Sequence, residues 1–270
     1  MRPRKIRNLT TRRENCTDLR IPYTLESFDF RTNEKNENFF DLDEIFGRSA
    51  PVVMEIGCGK GQFTCEYAKR NPDKNILAIE CVPTVLVEAC EKVKEEGIEN
   101  IRFLEMKAEY LPLFMKENSV TEIYLNFSTP FPKSRQESHR LTSKGFLDIY
   151  KKLLCDDGFI AQKTDSQCFF EYSLESFSQN GFQLSEISLD LHKSDFEGNI
   201  YTEYGNMIEP KIRDYINRTY KRNFVEDVAY TDDCRFHLDG WDEQFKEVLE
   251  IKSTSKVHKT LGEYKAYLVQ

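Results

Sequence analysis

The feature that most constrains this chain is a short apolar run, residues 52–56, that ends in three alternating glycines, Gly57, Gly59 and Gly61. It leads straight into a helix-patterned stretch, residues 62–70. Glycine at such a turn admits positive φ and lets another molecule lie against bare main chain. Strand, glycine turn and helix in that order begin an α/β layer fold with a parallel sheet. The spacing excludes two phosphate-binding loops. Gly61, not Ser or Thr, follows Lys60, so GxxxxGK[ST] is absent, and Gln62 stands where the third glycine of GxGxxG belongs.

The residues downstream repeat the alternation of short apolar runs and helical patterns. Strands are predicted over 75–80, 101–106, 121–127 and 159–164, with an alternating edge strand over 183–191. Helices are predicted over 62–70, 84–96, 142–154 and 167–180, the second closed by Gly97 and the fourth by Gly181. An Asp156-Asp157-Gly158 turn follows the third helix. Three stretches result: a basic arm and lead-in (1–47), an α/β domain (48–210) and an extension (211–270) with helical patterns near 242–251 and 261–268. No stretch reaches the roughly 18 apolar residues of a membrane-spanning helix, and the first thirteen residues lack the apolar core of a secretory leader. A cytoplasmic protein, as monomer or homodimer, is the expectation. Eight cysteines and four histidines are scattered without metal spacing, so neither a metal site nor a disulfide framework is expected. The net charge of −8 argues against a nucleic-acid partner, but local distribution matters more than the total. Yet Arg2, Arg4, Lys5, Arg7, Arg12 and Arg13 stand without an acid among them, which suits either a phosphate-binding arm or a solvated tail.

The motif Glu55-Ile56-Gly57-Cys58-Gly59-Lys60-Gly61 resembles the first motif of S-adenosylmethionine methyltransferases. Glu80, about twenty residues on and at the end of the second strand, can accept both hydroxyls of a ribose. Glu55 follows an apolar strand and needs a hydrogen-bonding or charged partner, a part the cofactor's ammonium can play.

The longer motifs are Tyr124 to Arg135 (YLNFSTPFPKSR), Arg140-Leu141-Thr142, Lys163-Thr164-Asp165, Phe170 to Ser173, Leu189 to His192, Asp195 to Asn199 and Thr202-Glu203-Tyr204. In this order they closely resemble the bacterial tRNA (guanine-N7-)-methyltransferase family over residues 48–204. The resemblance implies a Rossmann-like class I methyltransferase fold, with a seven-stranded, mostly parallel sheet and helices on both faces. It implies S-adenosylmethionine as cofactor, tRNA as partner and its variable-loop guanosine as target. It places cofactor binding on Glu55, Gly57, Gly59, Gly61, Glu80, Lys107, Ala108, Glu109 and Asn126. It places substrate binding on Lys133, Arg135, Arg140, Asp165, Thr202, Glu203 and Tyr204, and catalytic positions at Asp165 and Thr129. The implied chemistry is economical. Guanine N7 has a free lone pair, so no base need deprotonate it, and alignment at about 3–3.5 Å is the main task.

The chain departs from the family's pattern in four places. Thr129 and Phe131 replace the Asp and Trp of Asp-Pro-Trp-Pro-Lys. Lys107 stands where an acid usually follows the third strand. Gly205 replaces the Glu of Thr-x-Tyr-Glu, and about sixty residues follow the family's usual end. Two readings follow. One is an active but divergent methyltransferase. The other is a paralogue that binds the cofactor or RNA but has another substrate or little activity.

Overall fold

The computed structural model describes residues 7–23, 39–185, 187, 225–230, 235–242 and 247–249, the last three segments as main chain. The chain divides into two compact units, Met1–Ile187 and Ser188–Gln270.

In the first unit two short helices, α1 (Leu9–Glu14) and α2 (Leu42–Phe46), precede β1 (Val52–Ile56), α3 (Gln62–Arg70), β2 (Asn75–Ile79), α4 (Pro83–Glu95) and β3 (Ile101–Leu104). A 3-10 helix (Ala108–Leu113), β4 (Val120–Asn126) and a second 3-10 helix (Ser134–His139) follow, then α5 (Lys144–Leu153), β5 (Leu154–Lys163) and α6 (Gln167–Gln179). All neighbouring strands run parallel, in the order β3-β2-β1-β4-β5. Every residue of β1 and β2 is buried, as central strands of a parallel sheet must be when helices cover them. This is the expected Rossmann-like layout. The strand order reverses between β1 and β4, and ligands bind at the carboxyl edge of such a switch point.

Among the described residues of this unit the sheet holds five of the expected seven strands. Of the edge strand expected over 183–191, residues 183–185 and 187 are irregular and the others lie outside the described residues. The fifth strand begins earlier than its apolar run suggests, because the Asp156-Asp157-Gly158 turn sits inside it. Val120 pairs with Leu154 and Glu122 with Phe159, so four residues bulge opposite Thr121. A Cβ at Gly158 would lie 2.9 Å from the Cys155 carbonyl oxygen, so only glycine fits the bend.

The open edge of β3 is covered by the chain's own lead-in. Ile21 N–H donates to the Phe103 carbonyl at 2.9 Å, and Phe103 N–H to that of Leu19 at 2.8 Å. Of the described cations at this end of the chain, Arg12 holds Glu91, Arg13 and Arg20 share Glu105, and Arg7 is exposed. Arg12 and Arg13 are thus already paired within the fold; Arg2, Arg4 and Lys5 lie outside the described residues.

In the second unit β6 (Val225–Tyr230), β7 (Arg235–Asp242) and β8 (Glu247–Leu249) form an antiparallel sheet with β7 in the middle. The helix expected near 242–251 is therefore corrected to strand at Asp242 and at 247–249. Cross-strand pairs such as Trp241 with Val248 favour the pleated surface over the local helical pattern. The helix expected over 261–268 lies outside the described residues.

Candidate active site

The glycine turn takes the shape its spacing requires. Gly57, Gly59 and Gly61 all have left-handed φ, at 79°, 57° and 74°. A Cβ at Gly57 or Gly59 would meet no described atom within 4 Å, so open space borders the main chain there. A Cβ at Gly61 would stand 3.1 Å from that of Ala89, so this glycine also lets α3 pack close to α4. The turn is tied to β2 by the Gly57 and Cys58 N–H groups, which both donate to the Ile79 carbonyl, at 2.8 and 3.0 Å.

Glu80 leaves β2 beside this turn. One carboxylate oxygen accepts from Gly59 N–H at 3.2 Å and the other from Val82 N–H at 2.9 Å. Two main-chain donors thus fix the carboxylate at the carboxyl edge, and its remaining lone pairs can take hydroxyl donors.

Glu55 is 1% exposed. It accepts from the Thr64 hydroxyl and, at 3.0 Å, from the Asn126 amide. Both partners are uncharged. Burial therefore dominates and pushes the carboxyl up to about 7, against the pull of these two hydrogen bonds. Asn126 ends β4 and is 6% exposed; its side-chain oxygen is buried with no hydrogen-bond partner among the described residues. The Ser128 hydroxyl is in the same state. Lys163, paired in register with Asn126 at the end of β5, has its amine lowered to about 8 by burial, while Glu55 opposes the shift. Beyond β3, Lys107 and Glu109 are exposed and Ala108 is buried, opening the 3-10 helix.

The turn after β4 is built differently. Phe127 and Phe131 have φ of 50° and 43°, a region that costs an L-residue roughly 1–2 kcal/mol. Phe127 N–H donates to the Lys163 carbonyl at 2.8 Å. The Phe127 side chain is 42% exposed, and Thr129 is exposed too. Phe131 lies against His139, with ring centroids 5.7 Å apart. Lys133 and Arg135 are exposed and form no ion pair among the described residues. Arg140 is turned inward. Its guanidinium donates to the Pro130 and Phe131 carbonyls and lies 4.2 Å from the centre of the Tyr172 ring. Asp165 is exposed just beyond β5. Thr202, Glu203 and Tyr204 lie outside the described residues.

The structure thus gathers Glu55, the three glycines, Glu80, Lys107, Ala108, Glu109, Asn126, Thr129 and Asp165 along the carboxyl edge of one sheet. Sequence reasoning missed Thr64 and gave no role of their own to Lys163 and Tyr172, although both lie within the motifs it singled out. A threonine on a helix face otherwise lined by Phe63, Cys65 and Tyr67, and a lysine closing an apolar strand, were the available signals. For Tyr172 the motif Phe170 to Ser173 was the signal, but its partner Arg140 lies 32 residues away and was not legible. Among the described residues no group of His, Cys, Asp and Glu could hold a metal ion, and no helix is long and apolar enough to cross a membrane.

A family model described as "Putative methyltransferase" matches residues 49–217. The chain is 50% identical over 179 residues to a tRNA (guanine-N(7)-)-methyltransferase of Geobacillus sp. (strain WCH70), covering 66% of this chain and 80% of that protein. It is 46% identical over 168 residues to the protein of that name from Streptococcus thermophilus (strain CNRZ 1066), covering 62% of this chain and 79% of the relative. A solved antibiotic-related methyltransferase superposes with a TM-score of 0.45 at 20% identity, over 57% of this chain and 82% of that one.

Proposed function

The chain belongs to the tRNA (guanine-N(7)-)-methyltransferase family, and we infer that it methylates N7 of a guanosine in tRNA with S-adenosylmethionine as methyl donor. The observation that carries this reading is the 50% identity across 80% of a relative of that name. We take the target to be the variable-loop guanosine and the place of work to be the cytoplasm.

The carboxyl edge fits the cofactor. The space beside Gly57 and Gly59 admits a nucleoside against main chain, and Glu80 offers acceptors for a ribose. The unpaired Asn126 oxygen and the Glu55 carboxyl offer acceptors for an ammonium. Lys107, Ala108 and Glu109 border the adenine end. Bound there, S-adenosylmethionine supplies an electrophilic methyl group.

The protein's own part is positioning, because N7 needs no deprotonation. Asp165 holds the guanine edge as a hydrogen-bond acceptor and offsets positive charge developing on the base. Thr129, in the place of the family's acid, gives the same edge a neutral hydroxyl. Lys133 and Arg135 take phosphate oxygens.

Thr129, Lys107 and Gly205, each standing where the resemblance leads one to expect an acid, favour a second reading: a paralogue that binds the cofactor or RNA but has another substrate or little activity. One assay separates the two. Labelled methyl from S-adenosylmethionine should enter unmodified tRNA, and nucleoside analysis should find it in 7-methylguanosine. Folded protein that binds S-adenosylhomocysteine but transfers no label at micromolar concentration would leave the second reading.

A further inference from the structure

The turn after β4 holds two phenylalanines in a backbone region that favours glycine, so something outside the turn must keep it in shape. One anchor is the Phe127 N–H bond to β5. The other is Arg140. Its Nε donates to the Pro130 carbonyl at 3.1 Å and shares the Phe131 carbonyl, 3.3 Å away, with Nη2 at 3.1 Å. The same guanidinium lies over the Tyr172 ring of α6, 4.2 Å from its centre. That platform is itself fixed. The Ser173 hydroxyl meets that of Thr142 at 2.9 Å, and Ser176 Oγ donates to the Thr142 carbonyl at 2.6 Å, only two residues beyond Arg140.

We propose that Arg140 and Tyr172 are a positioning pair for methyl transfer. They lock the turn 127–131, which carries Thr129 and adjoins Asn126, and Arg140 does not serve as a tRNA phosphate ligand. This rests on the tRNA methyltransferase reading. The guanidinium already spends its Nε–H and one Nη2–H on two carbonyls and lies over a ring, so holding the turn occupies it; the three N–H groups left on Nη1 and Nη2 are what the salt slope of tRNA binding interrogates. Lys133 and Arg135, exposed and without ion pairs among the described residues, are the cations at hand for phosphate.

The test uses the full chain with four variants: Arg140→Lys, Arg140→Gln, Tyr172→Leu and Tyr172→Phe. Arg140→Lys keeps the charge but loses the planar fork. With Arg140→Gln and Tyr172→Leu it should lower kcat about tenfold or more, with KM for tRNA changed less than about twofold. Tyr172→Phe keeps the ring and should retain at least roughly half of parental kcat. The slope of log affinity for tRNA against log salt should be unchanged in Arg140→Gln, where loss of a phosphate contact would reduce it by about one. Tryptic cleavage after Lys133 or Arg135 should be faster in Arg140→Gln and Tyr172→Leu and parental in Tyr172→Phe.

Affinity for S-adenosylhomocysteine reports that each variant is folded. If Tyr172→Leu fails that check, Arg140→Gln and Tyr172→Phe carry the test. Unchanged kcat and cleavage, or a salt slope lower by one with weakened tRNA binding, would overturn the pair. If the parent itself does not methylate tRNA, the methyltransferase reading fails and the cleavage rates still decide the clamp.

Discussion

The turns that leave β1 and β4 flank the same switch point and are kept in shape by opposite means. After β1 the left-handed positions are all glycine, with further ties to Ile79 and Glu80 at the end of β2. After β4 the left-handed positions are phenylalanines, restrained by Lys163 on β5, by Arg140 and, through it, by Tyr172 on α6. The first turn carries its conformation in its own residues. The second borrows it from residues up to about forty positions away. The cofactor side therefore tolerates divergence elsewhere in the chain, while the substrate side is sensitive to substitutions that touch no substrate.

The contrast can be broken most sharply at Gly59. Its surroundings leave room for a side chain, so Gly59→Val should fold, though strained by its φ. Because the new side chain fills the cofactor's space, affinity for S-adenosylhomocysteine should fall by roughly a hundredfold or more, about 2.7 kcal/mol. An unchanged calorimetric affinity would mean that this main chain is not the cofactor's surface.

The next largest effect concerns Glu55. Its folded pKa, about 7, lies above the ordinary 4.5. The native state thus holds this proton longer than the unfolded state, and the resulting stability declines as pH rises from 4.5 to 7. Glu55→Gln removes the penalty of burying a charge. It should raise the free protein's unfolding free energy at pH 8 by about 2 kcal/mol and flatten its pH profile, while weakening cofactor binding. A less stable variant at pH 8 would contradict this assignment.

On the other side of the switch point, Thr129→Asp restores an acceptor to the turn after β4. A charge-assisted hydrogen bond of about 1.5–3 kcal/mol would raise kcat about tenfold or more if Arg140 still holds the turn in working shape. A variant no faster than the parent would show that more than one side chain separates this site from its relatives. The smallest effects belong to the rim. Lys133→Gln and Arg135→Gln should each raise KM for tRNA severalfold and lower the salt slope by about one, with kcat and cofactor affinity intact.

The same contrast explains what the amino-acid sequence made legible. β1 to β4 and the glycine turn were readable because apolar runs end at glycine, proline or charge, and each signal is local. Local reading failed where a long-range partner decided the outcome. Asp156-Asp157-Gly158 reads as a turn between elements, but pairing with β4 absorbs it as a bulge within β5. The need of Glu55 for a partner was readable; that Thr64 and Asn126 supply uncharged ones, leaving the carboxyl near 7, was not. Arg12 and Arg13 read as available cations because Glu91 and Glu105 are about eighty and ninety residues distant in sequence. Around Trp241 a helical pattern yielded to cross-strand pairing, which no local pattern encodes.

The account stands or falls on the cofactor surface between β1 and β2. Calorimetric titration of the full chain with S-adenosylhomocysteine tests it directly. One site of about micromolar affinity, abolished by Glu80→Ala, is the predicted result. No heat and no rise in melting temperature at millimolar ligand would contradict it.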